Sequence, residues 1–539
     1  MAENAVEKPA PKSVFVREAT GLLKEASFFD IFQFNAVSVT GVSIISGSAL
    51  LLPLMTYGIG IGEAITVGFL LALFVNMVYY ILSVTIPRSG GDYVYISRLL
   101  HPSLGVLSAG LTGIFGSLVL ASTFGATVWV SAGVSPLLSI AGMGGLASAV
   151  TDPTSLTIAG IFSTIFFGAL LIFGRNKAFY RLNNLLYAVA IIGLLVGLGA
   201  LLSVGHSGFV KLFDSFASTY STNSTNLANL ANSNGYVQPS SGTWSMLVGS
   251  GLLFTSFYWA TQSAYVGGEI RNTKRNHFLG MIGAALVWFA ITLVVIVTLY
   301  NVVGPTLISQ ASYLDYFKSS LWSLPSISFF ALYANIAANN IYVAGLISLA
   351  FIFGYITVTG WSFIVFSRAV FALSFDRILP SKLSDISDRF HSPVNAYIAF
   401  GILATIFLLL LSIPSAAVTI YTYGVGLNVV YMISFILASL SLVVLPFRDK
   451  ALFESSSPIK ARVGGLPVVS LIGAISIPLL LFYEYVLLSN PVFFGITNSF
   501  LEVMVATIIF FLAFYFVAKA IRKRQGIDVT LAYNQIPPE

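Results

Sequence analysis

An all-α, polytopic membrane protein with twelve transmembrane helices is the fold class this sequence predicts, and three observations predict it. The chain is 57% hydrophobic and only 9% charged, against about 25% charged residues in a soluble domain. Its apolar residues fall into stretches long enough to cross a bilayer. Its Lys and Arg gather at alternate ends of those stretches, as membrane topology requires.

Twelve spans follow, at about 31–57, 61–86, 103–132, 154–174, 182–203, 244–269, 277–303, 341–367, 395–412, 418–446, 467–489 and 496–518. With the amino terminus inside, only Lys211 and Lys318 of the 26 Lys and Arg fall on the outer side. This asymmetry predicts a multi-pass protein of the plasma membrane with both termini cytoplasmic. It also makes the basic clusters topology signals that face lipid headgroups, with no nucleic-acid partner. Residues 1–27 form a polar cytoplasmic tail and carry no signal-peptide pattern. A first five-span half (28–203) and a second (244–446) flank an outer loop at 204–243. Spans 11 and 12 with their connector occupy 447–518, and a second cytoplasmic tail occupies 519–539. The 204–243 loop is rich in Asn, Ser and Thr and reads as flexible and solvated. It contains the glycosylation sequon Asn223-Ser224-Thr225. The outer loop at 304–340 carries short helices in this reading and partly covers the outer mouth. Residues 87–102 read as an amphipathic segment at the inner interface.

The chain has no Cys, which excludes disulfides and thiolate metal sites. HExxH, GxSxG and Walker patterns are absent, so the expectation is a protein that is no enzyme and holds no metal or other cofactor.

Function is written in two interrupted spans. Span 1 contains Ile44-Ile45-Ser46-Gly47-Ser48, with Pro53 beyond it. Gly and Ser are weak helix formers, and Pro cannot donate to the preceding turn. A helix break in hydrocarbon persists only when it is enclosed by protein or lines a cavity. A kinked structural helix is the alternative reading. Span 6 contains Phe254-Thr255-Ser256-Phe257-Tyr258-Trp259 and occupies the same place in the second five-span half. Paired interruptions of this kind mark the solute site of inverted-repeat transporters.

Four motifs then carry a resemblance to the amino acid/polyamine/organocation superfamily of permeases. Ser46-Gly47-Ser48-Ala49-Leu50-Leu51-Leu52-Pro53 resembles that family's first-span Gly-Ser-Gly-x-Phe-Leu-Leu-Pro. Pro87-Arg88-Ser89-Gly90-Gly91-Asp92-Tyr93-Val94-Tyr95 resembles its motif after span 2. Glu269-Ile270-Arg271-Asn272-Thr273-Lys274-Arg275 resembles the motif after span 6, with Thr273 in place of Pro. Arg368 to Pro380, with Ser392-Pro393, resembles the segment between spans 8 and 9. The resemblance implies a LeuT-type fold, a 5+5 inverted repeat with helices 1 and 6 broken and spans 11 and 12 outside it. It implies alternating access around a solute held between spans 1, 3, 6, 8 and 10. Carried over, Ser46, Gly47 and Ser48 hold an amino-acid carboxylate. Ile44 and the span 6 carbonyls near Phe254 and Thr255, within the set Phe254, Thr255, Ser256, Phe257 and Tyr258, meet its ammonium. A helix amino end suits the anion and a carboxyl end the cation.

The chain departs from the family in having no carboxylate at the span 6 break. Glu269 lies near the inner end of that span instead, and Glu269 and Arg271 are read as inner-gate residues. The binding region has no charged side chain at the midplane, which argues for a neutral substrate. Its aromatic lining is expected from Phe124, Trp129, Phe254, Phe257, Tyr258, Trp259 and Tyr423. The driving ion stays open between H+ and Na+. In sodium-coupled relatives of the fold, span 8 hydroxyls join span 1 carbonyls around the ion, which points to Thr357, Thr359 and Ser362. The expectation is a secondary active transporter of an amino acid. The alternatives are a carrier of another small organic solute, such as an amine or nucleobase, and a sensor that binds amino acids without moving them. Oligomeric state is not legible.

Overall fold

A computed structural model describes residues 21–22, 24–37, 42–387, 389–390 and 392–537, with the side chains of residues 37, 414, 417–418, 421–423 and 425 outside the description. The principal helices are α1 (Phe28–Val37), α2 (Val42–Met55), α3 (Gly60–Thr85), α4 (Asp92–Leu99), α5 (Pro102–Ile140) and α6 (Pro153–Phe173). They continue as α7 (Arg175–Ser218), α8 (Ser224–Ser233), α9 (Thr243–Phe257), α10 (Thr273–Val303), α11 (Pro305–Phe317) and α12 (Phe330–Ala338). The last are α13 (Ile341–Phe375), α14 (Val394–Leu411), α15 (Pro414–Arg448), α16 (Val468–Ser489) and α17 (Asn498–Arg524). Among the described residues, 10 helices are long and apolar enough to cross a membrane. They match the expected spans 2–5 and 7–12. Among the described residues, expected span 6 does not form one long helix, and expected span 1 is described in two parts.

Span 1 is described in two parts, α1 and α2, with residues 38–41 outside the description. The interruption expected within residues 44–48 is not found there: Ser46, Gly47 and Ser48 sit inside α2. A Gly in a helix costs only about 1 kcal/mol, and burial of nearly all of α2 outweighs it. Span 6 changes from α9 to a 3₁₀ segment, Tyr258–Tyr265, where the sequence places its break. A second 3₁₀ turn, Gly267–Glu269, ends it.

Helix starts follow local chemistry. Asp152 Oδ1 accepts from the Thr154 and Ser155 amides, with Pro153 in the first turn of α6. Asn340 caps α13 and Thr497 caps α17 in the same way. Gly464 and Gly465, both at positive φ, turn the short hairpin Arg462–Val463/Leu466–Pro467 that precedes α16.

Position in the bundle follows burial. The apolar window of α5 is 83% buried and that of α17 only 17%, so α5 is central and α17 meets the bilayer. α5 is wound as π-helix over Ala109–Gly116, Ala121–Val128 and Val130–Val134. Its Gly113, Gly125 and Gly133 lie so close to α13 that a Cβ at any of them would come within 2.6 Å of Ala369, Thr359 or Ile352.

Two loop readings need correction. Residues 204–243 are not an irregular loop. α7 continues to Ser218 beyond a bend at Gly205, and α8 follows, capped by Asn223 and packed on α11 through buried Leu227 and Ala231. The segment at 87–102 does not lie on a lipid interface. Every residue of α4 is buried, because α5, α13, α15 and the carboxyl-terminal 3₁₀ turn Val529–Asn534 enclose it.

Close helix contact sets a test. A Cβ at Gly193 would lie 2.3 Å from Leu346 O across the α7–α13 contact, whereas one at Gly199 meets nothing within 4 Å. Gly193→Val is expected to lower the melting temperature in detergent, by overpacking of about 1–3 kcal/mol. Gly199→Val is expected to leave it in place. Equal melting of the two variants would contradict the α7–α13 packing described.

Candidate functional site

A cavity of about 420 Å³ lies where α2, α5, α9, α13 and α15 converge. Ser43, Ile44, Gly47 and Ser48 form one wall, and Leu252, Thr255, Ser256 and Trp259 the opposite one. α5 contributes Leu120, Phe124, Val128 and Ser131, α13 contributes Tyr355 and Val358, and α15 contributes Leu427, Asn428 and Tyr431. Tyr316, Ile327 and Phe329 close it toward the end of the bundle formed by α8, α11 and α12. That end is called the loop end here, and the opposite one, where residues 24–27 and 529–537 lie, the terminal end. No charged side chain lines the cavity.

Five of the expected site residues, Ile44, Gly47, Ser48, Thr255 and Ser256, come together on this cavity. The other four pack elsewhere. Ser46 is fully buried, and its hydroxyl donates to Val42 O within its own helix. Phe254 stacks on Tyr483 of α16, and Phe257 meets Phe69 of α3 edge-on. Tyr258 packs on Phe435 and donates to Asn428. Trp129, expected in the lining, donates to Ala126 O and Ser163 Oγ instead. The side chain of Tyr423 is outside the description. Sequence reading missed Tyr355, Asn428 and Tyr431. They lie on spans 8 and 10, where nothing in an apolar pattern separates a cavity face from a packing face.

The two walls come from the described start of α2 and the end of α9. α2 meets the cavity with Ser43, Ile44, Gly47 and Ser48 of its first two turns. The α-helical ladder of α9 ends with the Tyr258 amide on Phe254 O, and Thr255 and Ser256 lie in its last turn, before the chain passes into 3₁₀ winding. Both their hydroxyls donate back to Leu252 O.

Toward the terminal end the cavity is sealed. The ten residues from Val358 to Arg368 carry α13 about 15 Å beyond the lining. There Arg368, fully buried, donates through Nε to Glu269 Oε1 at 2.5 Å and through Nη2 to Oε2 at 2.9 Å. Asn176 donates to Glu269 and accepts from Tyr397, which in turn accepts from Arg368. This ring ties span 6 to α7, α13 and α14. Glu269 is thus a gate residue, as expected, but its partner is Arg368. Arg271 is exposed and donates to Lys24 O, holding the segment before α1, which pairs with residues 269–271. A second buried pair, Arg98–Asp376 at 2.7 Å, joins α4 to the end of α13. Arg88 and Arg98 also hold backbone carbonyls of the carboxyl-terminal segment, at Pro537 and Gln535.

A permease-like arrangement of this kind is matched by family comparison. The family model described as amino acid permease matches residues 27–514. The chain belongs to the amino acid permease family. Membership makes this permease a transporter of amino acids or related solutes, and its many apolar helices make it a multi-pass membrane protein. No curated protein matches the chain at a significant level.

The hydroxyls read as sodium ligands divide. Thr357 donates to Phe353 O and Ser362 to Val358 O, each within α13. The Thr359 hydroxyl is buried against Gly125 and makes no hydrogen bond among the described residues.

The gate pair yields a double-variant test. Arg368→Met in the permease strands a buried carboxylate and is expected to cost about 3–5 kcal/mol. The double variant Arg368→Met/Glu269→Gln is expected to melt above the single one. Additive losses in melting temperature would argue against a direct pair.

Proposed function

We propose that this permease is a secondary active transporter that moves a neutral amino acid by alternating access. Its twelve spans form a LeuT-type inverted repeat in the plasma membrane, with both termini cytoplasmic. The observation that carries the reading is the cavity between the first described turns of α2 and the last turn of α9, with no charged side chain in its described lining; in this reading the two helix ends give it opposite polarity.

A zwitterion fits that polarity. Its carboxylate lies at the first turn of α2, near Ser43, Ile44, Gly47 and Ser48, and its ammonium at the Thr255 and Ser256 carbonyls. The seat is therefore one turn earlier in span 1 than the motif alone places it. The substrate side chain meets Phe124, Val128, Tyr355, Val358 and Leu427, which favours an apolar or aromatic one. A fixed cation such as lysine would leave its charge without a counter-charge in this lining. The volume lies within the range of about 300–1,000 Å³ typical of small-molecule sites.

Gly47 supplies the test. A Cβ there meets nothing within 4 Å, because the position faces the cavity. Gly47→Leu is expected to fold and melt like the parent while filling the site, so that saturable uptake of labelled leucine or phenylalanine into proteoliposomes is lost. Competition by a panel of amino acids, amines and nucleobases defines the class. Absence of uptake for every neutral amino acid in the parent protein would overturn the proposal.

A further inference from the structure

Of the three buried carboxylates at the terminal end among the described residues, two are paired with arginine and one is not. Asp92 opens α4 and is 2% exposed. No cation contacts it among the described residues. Arg98 of the same helix is committed to Asp376, and Arg368 of α13 to Glu269. The groups that face Asp92 are neutral. From α3 comes the Tyr79 phenol, and from α4 itself Tyr95, which donates to Ser83. From α5 come Ser108 and Thr112, whose hydroxyls lie 3.3 Å from Oδ2, and from span 6 comes Tyr265. α15 brings Tyr431, which neighbours Tyr265, and the carboxyl-terminal turn brings Tyr533, which bonds to Tyr93. Asp92 Oδ1 makes no hydrogen bond, and neither does Tyr79 Oη. An ionised carboxylate offers about four acceptor sites; two long hydroxyl contacts leave it poorly served.

The geometry points to Asp92 as a proton-binding site that couples solute movement to a proton gradient. Hydroxyls lie between the cavity and Asp92, although the first of them, the Tyr431 phenol, makes no hydrogen bond among the described residues. Tyr431 lines the cavity, and its phenol lies over Gly116 of α5, where a Cβ would approach within 2.0 Å. One turn further along α5, Tyr265 Oη and Thr112 Oγ1 are 2.6 Å apart. Thr112 contacts the carboxylate. This turn of α5 is π-helical, a distortion frequent at functional sites.

The same site is wired to the moving part of span 6. Gly90 N–H donates to Tyr265 O, and Ser89 bridges Val266. The Tyr265 ring lies against Gly91, whose positive φ sets the turn into α4. Swinging the 258–269 segment aside to open the terminal end would break these bonds and admit water to Asp92. In the closed state burial pushes the Asp92 carboxyl up to about 6. In water it returns toward the ordinary range near 4, and the proton leaves to that side. Proton uptake thus belongs to the closed state and release to the opened one.

Proton binding at Asp92 stands by itself, while its coupling role rests on the transporter reading above. Infrared difference spectra of the reconstituted protein, parent minus Asp92→Asn, are expected to show a protonated-carboxyl band that titrates near pH 6. Tyr79→Phe removes the phenol dipole that faces the carboxylate and favours its ionised form, so its midpoint is expected to rise. With leucine as probe, an inward acid gradient is expected to drive accumulation by the parent. Asp92→Asn is expected to keep leucine counterflow without a gradient and to lose acid-driven accumulation. A carboxyl band that titrates near pH 4, or Asp92→Asn that still accumulates leucine under the acid gradient, would overturn the assignment. Counterflow absent from the parent would instead count against the leucine-transport reading, and the infrared titration would still decide the site.

Discussion

Hydrocarbon offers no hydrogen bond to a bare peptide group, and the rest of this structure follows from that. Each unpaired backbone group in the bilayer costs several kcal/mol. Among the described residues, ten helices are long and apolar enough to meet the constraint by spanning. The change of winding at the end of α9, with α2 opposite it, is enclosed by protein. The most buried long helix, α5, lies beside both, and α13 closes the other flank. Enclosing that break creates a central chamber with no charged side chain in its described lining. The same rule that makes a broken helix expensive therefore makes it a binding site.

Enclosure also dictates where side-chain charge sits. Arg368–Glu269 and Arg98–Asp376 are paired, hydrogen-bonded and placed toward the terminal end, away from the cavity. A buried pair contributes little net stability compared with apolar packing, but losing one partner is costly. Such pairs suit a gate, which must be secure when closed and must find water when opened. Asp92 is the exception in this layer. It has hydroxyls around it and no cation, so its charge state rather than a salt link is its free variable.

The fold was largely legible because lipid imposes a simple code. Span ends could be read from apolar runs and from the alternation of Lys and Arg. The break in span 6 could be read from Ser256-Phe257-Tyr258, where three weak helix formers coincide. The break in span 1 was expected at residues that are helical. Ser46-Gly47-Ser48 looks like a helix breaker, yet burial of α2 against α9, α11 and α13 overrides its local propensity. The loops misled for a related reason. Polar composition at 204–243 suggested solvated coil, but a few apolar residues such as Leu227 are enough to dock a helix on α11. α4 reads as amphipathic, but its Arg98 and Tyr95 are satisfied by Asp376, Ser83 and the carboxyl-terminal segment rather than by water.

Site residues were legible only in part, because a helix face gives no sign of what it faces. Glu269 was recognisable as a gate residue, yet its partner Arg368 lies 99 positions away. Arg271, nearer in sequence, serves the backbone of Lys24. The glycines of α5 explain why a sequence pattern under-reports this site. Gly113, Gly116 and Gly125 carry no chemistry themselves, yet they admit Ala369, the Tyr431 phenol and the Thr359 backbone to the face of α5. Removing side chains from one helix lets its neighbours place theirs. The hydroxyls that reach from the cavity toward Asp92 therefore belong to α15 and span 6, and it is the absence of side chains on α5 that lines them up.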